Sequence, residues 1–164
     1  MPFALNSPLS PAERSASKRA ANGSYPAEQV VLNFLQAIEE HDHELIAALL
    51  APDLRYTNVS LPTIKGGKQV SDLFKRIMVK GLEVKLHVHE LACSGNTVMT
   101  ERTDVFKLGP FHMQFWVFGN FHVENGRITL WRDYFDWLNI TKGLLGGLAG
   151  IPFKGLRNKP LLVP

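Results

Sequence analysis

Apolar residues recur at two different spacings along this chain, and the change from one to the other divides it. Val30, Val31, Phe34, Leu35 and Ile38 lie three and four positions apart, which predicts an amphipathic helix capped by Ser24 with Pro26 in its first turn. Asp42 has the residue type of a second cap, for a short helix running to Leu50. Pro52 then breaks the pattern, and Leu54 to Val59 read as a strand. Beyond the Gly66-Gly67 turn, Val70, Leu73, Phe74, Ile77 and Met78 mark a third helix.

From Leu82 the period becomes two. Leu82, Val84, Leu86 and Val88 alternate with Glu83, Lys85, His87 and His89, as in a strand with one buried face. Further strands are expected over Thr97 to Leu108, Phe111 to Val123 and Ile128 to Trp137, divided by Gly109-Pro110 and by Asn125-Gly126, a strong hairpin signal. Helices followed by an antiparallel meander give an α+β domain. The helices must cover one face of the sheet, because neither layer buries its apolar side alone.

A length of 164 residues with 45% apolar composition suits one domain, which the patterning places at residues 24–141. Residues 1–23 mix Pro, Ser, Ala, Arg and Lys without periodicity and are expected to be a disordered extension. Residues 142–164 are apolar, glycine-rich and basic, with no acidic residue, a composition that suits a pocket lid, a dimer contact or a weak lipid contact. The net charge of +3 is spread along the chain and does not point to nucleic acid. Cys93 is the single cysteine, which excludes an internal disulfide and suits a reducing compartment. No stretch approaches the roughly 20 apolar residues of a membrane span, and the N-terminus lacks a signal-peptide pattern, so a cytoplasmic location is expected.

The chemistry is concentrated on the strands. Val98, Thr100, Arg102, Asp104, Phe106 and Leu108 share one face of theirs, so Arg102 and Asp104 are expected to point inward. A guanidinium and a carboxylate among apolar neighbours are costly unless paired, and the pattern demands a network. Asp133 shares a face with Trp131, Phe135 and Trp137 on the last strand and supplies a second carboxylate. Tyr56 and Asn58, on one face with Leu54, add two further polar groups. Apolar walls with a few convergent polar groups bind and orient small molecules.

The segments YTN (56–58), RTD (102–104) and WRD (131–133) occur in the order and at the intervals of the limonene epoxide hydrolases, which the chain resembles over roughly residues 26–140. The resemblance implies a cone-shaped α+β barrel, a curved mixed sheet wrapped around N-terminal helices and enclosing a deep apolar pocket, in a homodimer. It implies a hydrolase that adds water to an apolar epoxide without cofactor or covalent intermediate. Asp133 is then the general base acting on a water held by Tyr56 and Asn58, Asp104 the general acid, and Arg102 the bridge between them. Trp131 packs against the site, and Leu35, Phe74, Met78, Phe106 and Phe135 are candidate substrate-binding residues. The divergent C-terminal segment favours a bulky lipid or sterol epoxide over a small terpene.

Other readings compete. Arg102 and Asp104 alone could be a structural ion pair, and Leu35, Phe74, Ile77, Met78, Phe106 and Phe135 are by default ordinary core. Folds of this class also serve isomerases, cyclases and modules that only hold apolar ligands. An isomerase has no obvious use for two carboxylates bridged by arginine, and a binding module none for the water-positioning set. His87 and His89 share a face with Glu83 and Lys85, as on a solvated sheet surface, and no metal site is expected. The Lys65-Gly66-Gly67-Lys68 turn lacks the full phosphate-loop pattern, and no Gly-x-Ser-x-Gly elbow is present.

Overall fold

In the computed structural model, which describes residues 26–138 with Ile140, Thr141, Leu144 and Leu145, three helices lie against one six-stranded sheet. Helix α1 (Ala27–Glu40) buries Val30, Val31, Phe34, Leu35 and Ile38, the residues whose spacing predicted it. Its N-cap is Pro26, which thus precedes the first turn, and the expected Ser24 cap lies outside the described residues. The helix ends where His41 turns left-handed, at φ 56°. Asp42 caps α2 (His43–Leu49) as expected, its carboxylate accepting the Leu45 N–H at 2.9 Å. Helix α3 spans Gly67–Ile77.

The strands are β1 (Leu50–Asn58), β2 (Ile64–Lys65), β3 (Leu82–Ser94), β4 (Thr97–Leu108), β5 (Phe111–Glu124) and β6 (Arg127–Phe135). Their order across the sheet is β2-β1-β6-β5-β4-β3. The meander β3 to β6 is antiparallel, and β1 joins it by pairing parallel with β6, which makes the sheet mixed. At the β5–β6 hairpin, Asn125 and Gly126 both take positive φ, 49° and 71°, the conformation that a two-residue turn with strand-matching twist requires. The sheet curves around α1, which packs across β3 to β6, while α3 covers β1 and β2. The cone stays open, because the edge strands β2 and β3 do not pair with each other.

Several features differ from the sequence reading, among them α2, which ends at Leu49 rather than Leu50. β1 starts at Leu50, not Leu54, and passes through Pro52. Proline is tolerated there because the ladder to β6 is interrupted between Leu50 and Arg55, where no N–H is called for. β2 was not foreseen; two residues pairing with Arg55 and Tyr56 carry no periodicity to read. β6 ends at Phe135 rather than Trp137, because the Asp136 carboxylate accepts the Leu138 N–H at 2.9 Å and turns the chain into a helical segment. Trp137 is consequently 42% exposed.

The core lies between α1 and the concave face of the sheet, and Trp131 is its centre. The indole meets the rings of Phe34 at 5.0 Å, Tyr56 at 4.1 Å, Phe74 at 5.7 Å and Phe121 at 5.8 Å. Those neighbours come from α1, β1, α3 and β5, so one side chain of β6 ties both layers together. The expected N-terminal extension, residues 1–23, and all of residues 142–164 except Leu144 and Leu145 lie outside the described residues.

Candidate active site

Alternation along β4 puts Thr100, Arg102 and Asp104 on the concave face, and all three are buried. Arg102 is 2% exposed, a position that a guanidinium can hold only with partners on its N–H groups. It has three. Nε donates to Asp104 Oδ1 at 2.9 Å, Nη2 to Asp133 Oδ2 at 2.7 Å, and Nη1 to Thr100 Oγ1 at 3.3 Å. The inward placement expected from alternation, and the pairing expected from burial, are both present.

Asp133 projects from β6 and accepts a second hydrogen bond, from Trp131 Nε1 to Oδ1 at 2.8 Å. Arginine and indole N–H groups only donate, so both contacts engage carboxylate lone pairs, and one lone pair per oxygen remains. The parallel pairing of β1 with β6 sets Tyr56 opposite Trp131 and Asn58 opposite Asp133. Tyr56 Oη donates to Asn58 Oδ1 at 2.9 Å, which leaves the Asn58 amide N–H groups as donors beside the Asp133 carboxylate. Asp104 uses Oδ1 for Arg102, and its Oδ2 makes no hydrogen bond among the described residues.

The electrostatics separate these groups. Burial pushes the Asp104 carboxyl up to about 6; Arg102 opposes this, whereas the charges of Asp133 and Glu39 add to it. Burial also works against the Arg102 cation, but the two adjoining carboxylates outweigh it and hold its pKa above the ordinary value. Tyr56 is pushed well above the usual phenol range, first by burial and then by the Asp133 charge, so its hydroxyl stays neutral.

These groups line a cavity of about 280 Å³. Tyr56, Asn58, Arg102, Asp104 and Asp133 are its polar members, and Leu35, Phe74, Met78, Phe106, Trp131 and Phe135 all contribute to its apolar wall. The candidate residues from the sequence are therefore brought together without exception. Ile38, Leu82, Val84, Leu86 and Phe115 complete the wall, and alternation had already placed Leu82, Val84 and Leu86 on a buried face. Ile77 also lines the cavity and is 49% exposed, so it marks the mouth and is not the core residue its helical spacing suggested.

Glu39 was missed altogether. It is nine-tenths buried and its Oε1 accepts the Leu86 N–H at 2.5 Å, across 47 residues of sequence. The bond satisfies a backbone donor on the free edge of β3, and Leu86 stands opposite Asp104 in the β3–β4 register. No local signal reveals such a contact. On the convex face His89 bonds Thr103 at 2.9 Å, and among the described residues no group of three or more His, Cys, Asp or Glu side chains is placed to hold a metal ion. No helix among the described residues is long and apolar enough to cross a membrane.

Known proteins resemble this chain in sequence and in fold. Residues 26–146 match the family model of the limonene-1,2-epoxide hydrolase catalytic domain. The chain is 44% identical over 125 residues to epoxide hydrolase EphG of Mycobacterium tuberculosis, an alignment covering 76% of this chain and 83% of that protein. The structure of an M. tuberculosis LEH-like epoxide hydrolase superposes with a TM-score of 0.75 at 40% identity, covering 81% of this chain and 94% of that one. An NTF2-like protein of unknown function from Burkholderia pseudomallei shares the fold at 23% identity and a TM-score of 0.62, over 72% of this chain and 96% of its own. With the family model spanning the whole helix-and-sheet unit that builds the cavity, the chain belongs to the limonene-1,2-epoxide hydrolase family.

Proposed function

We propose that this protein hydrolyses an apolar epoxide to a vicinal diol in one step of general acid/base catalysis. The observation that carries the reading is the Arg102 guanidinium joined to Asp104 at 2.9 Å and to Asp133 at 2.7 Å in an otherwise apolar cavity. In this reading Asp133 takes a proton from a water that Tyr56 and Asn58 also hold, and the water oxygen bonds to one epoxide carbon. The C–O bond of the ring breaks as Asp104 delivers its proton to the leaving oxygen. The diol departs with both hydroxyls complete, and exchange with solvent returns a proton to Asp104 and removes one from Asp133.

Each proton transfer supplies on the order of 10²- to 10⁴-fold, and ring strain does much of the rest. Burial suits Asp104 to this task, since its carboxyl titrates at about 6 and is a proton donor below that. A same-fold isomerase or cyclase requires only one base and an oxyanion donor, and leaves the Arg102 bridge to a second carboxylate without a use.

The cavity of about 280 Å³ accommodates the epoxide-bearing part of a substrate and opens beside Ile77, which supports a bulky lipid or sterol epoxide whose remainder projects outward. The composition of residues 142–164 suits a lid, a dimer contact or a weak lipid contact, and truncation after Lys142 that leaves turnover of bulky epoxides unchanged counts against a lid. A homodimer is supported by the convex face, where Phe118 and Tyr134 pack ring against ring at 6.2 Å on the strand face that carries Trp116. A monomeric mass in solution contradicts the dimer. The single free cysteine, Cys93, is exposed and supports a cytoplasmic setting, which cell fractionation tests.

The direct test is a panel of apolar epoxides, limonene 1,2-epoxide included, with diol formation as the readout and Asp133→Asn as comparator. Wild-type turnover that collapses in a folded Asp133→Asn protein is expected. Undiminished turnover in that variant, or isomerisation of an unsaturated ketone in place of diol formation, overturns the reading.

A further inference from the structure

Arg102 stands on β4 and its second carboxylate partner, Asp133, on β6, with β5 between them. Adjacent strands lie about 4.8 Å apart, so the guanidinium must pass over β5 to reach Asp133. The inward positions of β5 are Phe115, Val117, Gly119, Phe121 and Val123, and every one except Gly119 carries a bulky side chain. Gly119 is the residue at the crossing: the register sets it opposite Thr100 on β4 and opposite Asp133 on β6.

A Cβ at Gly119 would run into Arg102 Nη1, and would stand 2.7 Å from Thr100 Oγ1 and 2.8 Å from Phe121 Cε2. These approaches are shorter than real Cβ contacts, and all three involve buried side chains. Glycine within a strand forfeits packing and usually marks a close approach of another group. Here that group is the guanidinium, and Thr100, across the register, supplies the acceptor for its Nη1 at 3.3 Å.

We propose that Gly119 and Thr100 form a cradle that positions Arg102, with the bare backbone of Gly119 giving passage over β5 and the Thr100 hydroxyl fixing the guanidinium on that path. The cradle is what lets one arginine of β4 serve carboxylates on two non-adjacent strands. Both are positioning residues, acting through Arg102, and the assignment rests on the reading of Asp104, Arg102 and Asp133 as the reacting constellation.

The test uses the full chain and the epoxide of the panel that wild type opens fastest. Gly119→Ala and Thr100→Val are compared with wild type by kcat, KM and the pH dependence of kcat/KM. In Gly119→Ala a fall in kcat of tenfold or more is expected, with KM within about twofold, because the apolar wall is untouched. The fall of kcat/KM on the alkaline side moves to higher pH, since withdrawing the cation favours the protonated form of the Asp104 carboxyl. Thr100→Val, which keeps the shape and removes the acceptor, shifts kcat and the pH profile in the same directions by a smaller factor.

A role confined to strand packing lowers the melting temperature of Gly119→Ala and leaves kcat and the pH profile of the folded protein at wild-type values, which overturns the proposal. Should Gly119→Ala not fold, Thr100→Val decides alone, and wild-type kcat with an unmoved pH profile in that variant counts as refutation. Wild-type protein that opens no epoxide, by contrast, refutes the reading of the site and not the cradle geometry.

Discussion

Arg102 reaches Asp133 from two strands away, its Nη2 donating to Oδ2 at 2.7 Å while Nε of the same guanidinium holds Asp104 at 2.9 Å. One cation is thus divided between two buried carboxyl groups, and the properties of each depend on it. A planar fork with fixed N–H directions can do this, whereas a lysine ammonium, a compact point charge, cannot address both in one geometry.

Removal of the fork follows as the first prediction. Arg102→Ala leaves two carboxyls buried without their cation, and breaking a buried pair in this way costs about 3–5 kcal/mol. Chemical denaturation at neutral pH measures it. A loss below about 1 kcal/mol means that the triad is open to water and the burial argument is wrong.

The proposed general acid gives the second. In that role Asp104 donates only while protonated, and its carboxyl is pushed up to about 6 by burial. In free enzyme, kcat/KM is expected to be flat on the acid side of this value as far as Asp104 controls it, and to fall tenfold per pH unit above it. An apolar substrate expels water and deepens the desolvation, so the corresponding fall in kcat lies at higher pH than that in kcat/KM. Coincident limbs, or a fall governed by a group titrating near the ordinary carboxylate value of 3.8, contradict the assignment. The sign for stability is the same: protonated Asp104 stabilises the fold most below the ordinary carboxylate pKa, and this contribution is lost as pH rises through about 6. Asp104→Asn lacks that dependence.

Glu39 supplies the third. Its charge is one of the influences raising Asp104, and Gln at this position can still accept the Leu86 N–H that the carboxylate accepts at 2.5 Å. Glu39→Gln is therefore expected to fold and to move the fall in kcat/KM to lower pH. An unmoved profile shows that Glu39 serves only the strand edge.

How much of this was legible in the residues follows from the range of each interaction. Arg102, Asp104 and Asp133 could be placed on inward faces because strand alternation is local, and Tyr56 and Asn58 likewise because two positions separate them. The six candidate wall residues from Leu35 to Phe135 share the same origin in periodicity. Ile77 went wrong because helical spacing reports a face and not what covers it; the cavity mouth leaves it half exposed. Trp137 went wrong because a single Asp136 cap ends the strand before it. Glu39 and Gly119 owe their importance to partners 47 and 17 residues away, which no window reaches, although an isolated glycine among Phe and Val in β5 was a visible anomaly.

Trp131 supplies the fourth prediction. Trp131→Phe retains an aromatic ring against Phe34, Tyr56, Phe74 and Phe121 but removes the donor to Asp133 Oδ1 at 2.8 Å. A hydrogen bond to a charged group contributes about 1.5–3 kcal/mol, so kcat should fall about 10- to 100-fold if the indole orients the base. A fall confined to stability, with kcat intact, leaves Trp131 as packing only.

In the proposed mechanism Asp133 acts on water and never on the epoxide carbon itself. This is tested most directly by a single turnover, enzyme in excess over epoxide, in heavy-oxygen water, followed by mass analysis of both diol and protein. Label is expected in the diol from the first turnover and none in Asp104 or Asp133. An unlabelled first-turnover diol, with label appearing in an aspartate carboxyl, would contradict it.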